Sequence, residues 1–368
     1  MKQMMIKIFC IILGIVAGFS IGFLGARHFE KAGVSGVEWI LVFLVIYAAF
    51  HLQVIFHEAG HLLFGLLSGY KFVSFRVNNF MIYKKQGKFH VGKYMIAGTG
   101  GQCLMSPPEL VNGTMPYCLS NFGGVVMNLM IAIASLIIYI LCNLGTILEV
   151  FWISLTIIGV FFAITNGVPM RLGGIDNDGY NAISLGKEKE ALFAFWLQLK
   201  VNELLTEGER LKDMPEEWFE KPSEEGMKNT MIAAIEAMRC NRFLDQGLFI
   251  EANQAISDVM KSNTGMEGVQ KMLLKIDQIY CEIVGEQREE ILKQMKEKEL
   301  ASFIKSMKTF PSVVRTQYAY ALVIENDEKK AAKLKKQFEM IMKKHPYEGE
   351  IESEWELVRY CEENTEWT

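Results

Sequence analysis

Hydrophobic and polar positions divide this chain into a front part of long charge-free runs and a back part of helix-period patterning. Nothing charged lies between Lys7 and Arg27, which leaves nineteen residues in a row, IFCIILGIVAGFSIGFLGA. A helix needs about 20 apolar residues to cross a bilayer core. A signal peptide also opens on an apolar run, but this one is long for that purpose and no small-x-small cleavage site follows it, so it predicts a first span. A second span is predicted at about Trp39–Leu67. Residues 110–148 carry no charge, and a third and fourth span fit at about Phe122–Cys142 and Leu148–Pro169. Only NLGTI separates them, too little for an inserted domain. Between the second and third spans, KFVSFRVNNFMIYKKQGKFHVGKYMI (71–96) alternates and is rich in Phe, Val, Tyr and Ile around KKQGK, which predicts a β-hairpin. The glycine-rich loop AGTGGQCLMSPPE follows it.

The back part reads as helix throughout. Residues 181–205 predict a helix leaving the membrane, TEGERLKDMPEEWFEKPSEEG a charged linker, and the remainder a helical domain. Small residues recur at Ala233, Ala234, Ala237, Gly247 and Ala252, and again at Ala319, Ala321, Ala331 and Ala332 ahead of Pro346. These resemble two degenerate tetratricopeptide-type helical hairpins, although any antiparallel helix bundle needs similar patterning. The predicted fold class is therefore an α-helical polytopic membrane protein: four transmembrane helices, a short β-hairpin or re-entrant loop, and an all-α cytosolic domain. The predicted domains are an N-terminal span (1–36), a membrane core (37–185), a linker helix with a charged linker (186–226) and a helical domain (227–368).

Charge sharpens this division. Residues 1–180 hold 11 Lys/Arg and 7 Asp/Glu, and residues 181–368 hold 27 and 35. The front is solvated by lipid and the back by water. Lys2 and Lys7 precede the first span, and Lys71, Arg76, Lys84, Lys85, Lys88 and Lys93 follow the second. The loop after the first span has only Arg27 and Lys31, and the connection between the third and fourth has none. The positive-inside rule then predicts a multi-pass cell-membrane protein with both termini and residues 70–118 in the cytoplasm. The seven cysteines are scattered without a C-x-x-C pair, which argues against a disulfide framework and a cysteine zinc site and suits a reducing compartment. No basic block points to nucleic acid, and the acidic back part excludes that partner class.

Against this apolar background VIFHEAGHLLFGLL (54–67) is unexpected. Unpaired His and Glu at bilayer depth face a desolvation cost of several kcal/mol, so they mark a functional site. On a helix, His57 and His61 share one face one turn apart, where two imidazoles can chelate one metal. Glu58, about 100° around the helix, can reach a metal-bound water without being a ligand. This is the mechanical content of H-E-x-x-H, with zinc the usual metal. His51 lies on another face and reads as an ordinary polar or interfacial residue. His90, in the hairpin, reads as exposed.

A catalytic zinc takes three protein ligands. The acidic residues of the front part are Glu30, Glu38, Glu58, Glu109, Glu149, Asp176 and Asp178. Glu38 and Glu149 fall on the outer side of the predicted topology. Asp176 and Asp178 lie in TNGVPMRLGGIDNDGYN, where Asn166, Pro169, Gly173, Gly174 and Gly179 break the helix at the inner end of the fourth span. Unwound backbone is tolerated at membrane depth when it lines a protein cavity.

H-E-x-x-H in one span, then N-x-x-P and an aspartate-glycine at the end of a later one, resembles the site-2 protease family of intramembrane zinc metalloproteases. The resemblance covers about residues 37–185, matches the second to fourth spans to that family's three-span core, and does not extend to a PDZ or CBS domain. It implies His57, His61 and Asp178 as zinc ligands, Glu58 as catalytic base, and Asn166 and Pro169 as part of the substrate site. Gly124 and Asn128 match a G-x-x-x-N pattern of the middle core span. The sequence departs from the family in the extra RLGG and in Asn177 where leucine is usual. Asp176 therefore stays an alternative, with Asp178 favoured because it directly precedes a glycine.

The resemblance implies a zinc-dependent endopeptidase that cuts a membrane-embedded protein or peptide precursor, in signalling or peptide maturation. A substrate span must unwind to be cut, and pairing with an edge strand compensates its lost hydrogen bonds. The hairpin and the loop at Gly100 and Gly101 are expected to present that edge. The helical domain suits a protein partner, regulation or substrate recruitment. Two other classes compete: a catalytically silent receptor or scaffold acting through the helical domain, and a prenyl-peptide-processing type of membrane protease whose third ligand is a glutamate, for which Glu109 and Glu149 are poorly placed.

Overall fold

The charge-free runs fold as helices, the arrangement that satisfies every backbone group within its own segment where water is excluded. A short apolar helix, α1 (Ile11–Phe23), precedes three that are long and apolar enough to cross a membrane: α2 (Gly36–Leu67), α3 (Cys118–Leu141) and α4 (Thr146–Gly167). The computed structural model describes residues 8–9, 11–23, 36–94, 99–172 and 175–365. The 13 residues of α1 span about 20 Å at 1.5 Å per residue, so the predicted first span is described only over its middle. The chain forms two compact units, Met1–Asn78 with Gly100–Lys189, and Asn79–Thr99 with Glu190–Thr368.

In the first unit the usual polarity is inverted. The outward faces of α2 and α3 carry Phe43, Leu44, Tyr47, Leu63, Ile133, Ile137, Ile140 and Leu141, all exposed. The interior holds Ala49, Gln53, Asn128, Ala132, Ser135 and Ser154, all buried. That distribution suits lipid outside, where small and polar residues join helices and apolar side chains gain nothing by burial. Ile21 of α1 packs with Ala49, Leu155 and Ile158 in this interior. Helices α2 and α3 touch backbone to backbone: a Cβ on Gly60 would collide with the Gly123 carbonyl, and one on Gly123 with the Gly60 carbonyl.

The segment after α2 forms three strands rather than the one predicted hairpin. Strand β1 (Lys71–Val77) is followed by a turn at Asn78–Asn79, then β2 (Phe80–Lys85) and β3 (Lys88–Lys93). Asn78 has φ 53°, a left-handed conformation that asparagine tolerates well. The predicted turn lies at Gln86–Gly87, both with positive φ, as a two-residue hairpin requires. Strand β4 (Gly101–Ser106) pairs antiparallel with β1, Val77 opposite Gly101, and is an end strand of its sheet. Residues 95–98, the end of the predicted hairpin and the start of the predicted glycine-rich loop, lie outside the described residues. Beyond α4, the two-residue strands β5 (Arg171–Leu172) and β6 (Ile175–Asp176) lead into α5 (Asp178–Ser184).

Apart from the β2–β3 hairpin, the second unit is helical in its described residues: α6 (Lys189–Glu207), α7 (Thr230–Asp245), α8 (Phe249–Lys261), α9 (Gly268–Val284), α10 (Glu289–Leu292), α11 (Lys298–Ser306), α12 (Pro311–Ala319), α13 (Glu328–Met342) and α14 (Glu348–Thr365). Helices α7 and α8 join at Gly247 (φ 72°) and bury Ala233, Ala237, Ala255 and Ile256 between them. Helices α12 and α13 form another pair and bury Val314, Ala331 and Phe338. Residues 206–226, which read as a charged linker, belong to this unit. Arg210 is 5% exposed and pairs with Asp245 (2.6 Å) and Glu356, while Met214, Phe219 and Met227 are buried. A run of charges looks solvated in sequence because its partners lie more than thirty residues away.

Arg315 of α12, 2% exposed, pairs with Asp277 of α9 and with Glu354 of α14 (2.8 Å). Burial pushes Glu354 up to about 7; Arg315 and His345 oppose that shift, and Asp277 and Glu350 add to it. An ordinary glutamate titrates near 4.5. Between these values the folded chain keeps a proton that the unfolded chain has released, so this group's contribution to stability is present at low pH and lost as pH rises through the window.

Two predictions follow from this packing. Gly123→Leu forces α2 and α3 apart and lowers the melting temperature of detergent-solubilised protein by the equivalent of about 1–3 kcal/mol or more. Gly22→Ala, where a Cβ meets nothing, does not lower it. Melting curves between about pH 5 and pH 8 show the wild type losing stability relative to Glu354→Gln as pH rises.

Candidate metal centre

The site is built on α2, where His57 and His61 stand one turn apart and their Nε2 atoms lie 3.2 Å from each other. Helix α5 brings Asp178 to them. Its Oδ2 is 3.1 Å from His57 Nε2 and 3.4 Å from His61 Nε2. Among the described residues these three form one group able to hold a metal ion, with ligand atoms within 4.8 Å of one another.

Each imidazole is held by its other nitrogen. His57 Nδ1–H donates to Asn128 Oδ1 (2.7 Å), and His61 Nδ1–H donates to the Ser120 carbonyl (2.8 Å). In a neutral ring whose Nδ1 carries the proton, Nε2 presents its lone pair, so both lone pairs face the carboxylate. Gly124 makes room for the first ring, since a Cβ there would lie 2.5–2.7 Å from three of its atoms. One turn further along α3, Asn128 is fully buried, and its Nδ2 donates to the backbone and side-chain oxygens of Gln53 (2.9 and 2.6 Å). Gln53 Nε2 in turn donates to the Leu155 carbonyl of α4 (2.7 Å). These bonds fix which way each amide faces, and hence which nitrogen of His57 is free. Gln53 is not among the residues the sequence motifs single out. Its signal is a polar residue one turn before His57 in an otherwise apolar helix.

The choice between the two aspartates is made by local bonding. Both oxygens of Asp176 are occupied by Arg171, Nε–Oδ1 at 2.5 Å and Nη2–Oδ2 at 3.1 Å. Asn177 caps α5: its Oδ1 accepts from Tyr180 N and Met170 N, and its Nδ2 donates to the carbonyls of Thr165 and Val168. One side chain thus ties the unwound end of α4 to the start of α5, with Asp178 the next residue. Gly179 permits the approach, because a Cβ there would strike the Gly167 carbonyl.

Glu58 lies on α2, 8% exposed, with its carboxyl group against Gly101 at the start of β4; a Cβ on Gly101 would sit 2.5 Å from Oε1. Arg76, counted in sequence among the cations that follow the second span, is fully buried on β1 and reaches the same strand through Nη2 to the Gly101 carbonyl (3.4 Å). The Gly100 carbonyl accepts from Asn78 N (2.8 Å) and extends the β1–β4 ladder. Asn166 bonds back to the Phe162 carbonyl of its own helix (3.0 Å), and Pro169 is exposed just past the end of α4. His51 bonds to the Tyr47 carbonyl (3.0 Å), and His90 is exposed beside Tyr83. Neither belongs to the site.

The donor set fits a divalent metal. Asp178 Oδ2 is buried without a hydrogen-bond partner among the described residues, and two nitrogen lone pairs converge on it. Three acceptors at this spacing repel one another unless a cation or a proton lies among them, and two imidazoles with one carboxylate form a ligand set that zinc accepts. Compared with family models, curated proteins and solved structures, the chain matches none.

Asp178→Asn is expected to remove bound zinc from the purified protein and Asp176→Asn to retain it, as measured by elemental analysis. Gln53→Leu lowers zinc affinity by about 10–100-fold in competition with a chelator, because an outer partner orients the ligand.

Proposed function

We propose that the chain is a zinc-dependent intramembrane endopeptidase, acting on a peptide bond in or near the membrane-spanning segment of a protein or peptide precursor. The observation that carries this reading is the convergence of His57, His61 and Asp178, with Glu58 one residue from the first ligand, inside a bundle of three apolar helices. Zinc held by two imidazoles and a carboxylate acidifies water and polarises a carbonyl oxygen. The chain's own residues divide the remaining work. Glu58 takes a proton from the attacking water and returns it to the leaving amine. Asn128 and Ser120 hold the two imidazoles in the metal-binding tautomer. Strand β4 offers an edge on which an unwound substrate can pair, and side-chain-free Gly101 keeps that edge against Glu58.

The same proposal includes α1 as part of a fourth span, both termini and the second unit on the cytoplasmic side, and Asn166 and Pro169 beside the substrate. The paired helices of the second unit suit a tetratricopeptide-type module that binds a partner or recruits substrate. A silent receptor or scaffold has no use for the tautomer-fixing bonds on both histidines, and these favour the enzyme.

The deciding variant is Glu58→Gln. It retains about one zinc per chain while cleavage of a membrane-embedded substrate falls by at least about 100-fold. Cleavage that survives this substitution removes Glu58 from its role.

A further inference from the structure

The second unit contains a cavity of about 320 Å³ walled by α6, α7, α9, α12 and α14. That volume falls within the range of ligand sites, about 300–1,000 Å³. One side is apolar, with Leu205, Leu244, Leu273 and Phe310. The other carries the Asp277–Arg315–Glu354 network, with Gln270 and Glu350 beside it.

Three atoms of this polar wall are buried without a hydrogen-bond partner among the described residues: Arg315 Nε, Glu354 Oε2 and Gln270 Oε1. Buried polar atoms are nearly always paired, so each one left over asks what completes it. Arg315 is 2% exposed, and its two terminal nitrogens are already taken by Asp277 and Glu354. Its Nε therefore needs an acceptor from outside the chain, while Glu354 and Gln270 need donors. A peptide backbone supplies both senses. A polyamine supplies donors alone and leaves Nε unanswered.

Charge narrows the choice further. Arg315 is the single cation of the lining, against Asp277, Glu350 and Glu354. Glu350 lies 2.6 Å from His345, and above about pH 7, with Glu354 ionised, the acids of the lining outnumber its single cation. An anionic ligand meets repulsion there, and a cationic one is attracted.

We propose that this cavity binds a short peptide that carries a lysine or arginine beside an apolar residue. A backbone carbonyl accepts from Arg315 Nε, an N–H donates to Gln270 Oε1, the cationic group lies at Glu354, and the apolar side chain fills the leucine-rich wall. The inference is independent of the membrane-embedded site and stands or falls without it.

Equilibrium dialysis of the full chain in detergent micelles tests this, with two pooled probes: acetyl-Xaa-Lys-Xaa-amide and acetyl-Xaa-Glu-Xaa-amide, where Xaa is Ala, Val, Leu or Phe. Saturable binding of the lysine pool is expected, with the glutamate pool weaker by at least about tenfold, as the loss of one charge-assisted hydrogen bond implies. Glu354→Gln weakens the lysine pool by a similar factor. Ser353→Trp, which fills the cavity from a half-buried position, abolishes binding while circular dichroism stays unchanged. Equal binding of the two pools, no saturable binding of the lysine pool, or binding that survives Ser353→Trp overturns the proposal. So does cadaverine binding as tightly as the lysine pool, which assigns the cavity to small amines instead.

Discussion

Much of the membrane unit depends on the hydrogen bond from His57 Nδ1–H to Asn128, because that bond decides which face of the imidazole is basic. At bilayer depth no water can complete a mis-set amide or imidazole, so each polar group must be answered by another. The answer here runs from His57 through Asn128 and Gln53 to the Leu155 carbonyl, and it connects α2, α3 and α4. The chain of bonds that orients His57 is thus also one that holds three apolar helices in register. Lipid gives those helices little reason to associate through their aliphatic faces, and close backbone contact at Gly60 and Gly123 supplies the rest.

The second constraint is the end of α4. A helix that stops at membrane depth leaves carbonyls without partners, and those of Thr165 and Val168 are taken by Asn177. The same residue caps α5, so satisfying the end of one helix and starting the next are one event. That event sets Asp178 against the histidines and turns Asp176 toward Arg171. Asn177 is the residue that makes the turn.

The two units solve opposite problems. The first hides polar groups from lipid, and the second keeps an apolar core from water while burying the Arg315 and Arg210 ion networks inside it. Such networks cost desolvation and are tolerated only when every partner is present. Beside the cavity Arg315 Nε, Glu354 Oε2 and Gln270 Oε1 have no partner among the described residues, and they lend that cavity its interest.

What the sequence determined by itself is whatever depends on local period. The apolar runs at α2, α3 and α4, the KKQGK turn, and the shared helix face of His57 and His61 are all legible, because a span, a two-residue turn and an i, i+4 pair are set by neighbours in the chain. The small-residue pattern likewise located the α7–α8 and α12–α13 pairs. Tertiary structure decided what depends on distant partners. Periodicity cannot separate two aspartates two residues apart, and Arg171 and Asn177 do so through bonds that exist only once α4 has ended. Nor could the sequence show that Arg76 is buried, that residues 206–226 pack as part of the helical unit, or that Gln53 holds Asn128. Each of these rests on a contact across dozens of residues, where an isolated charge or amide reads as solvated until its partner arrives.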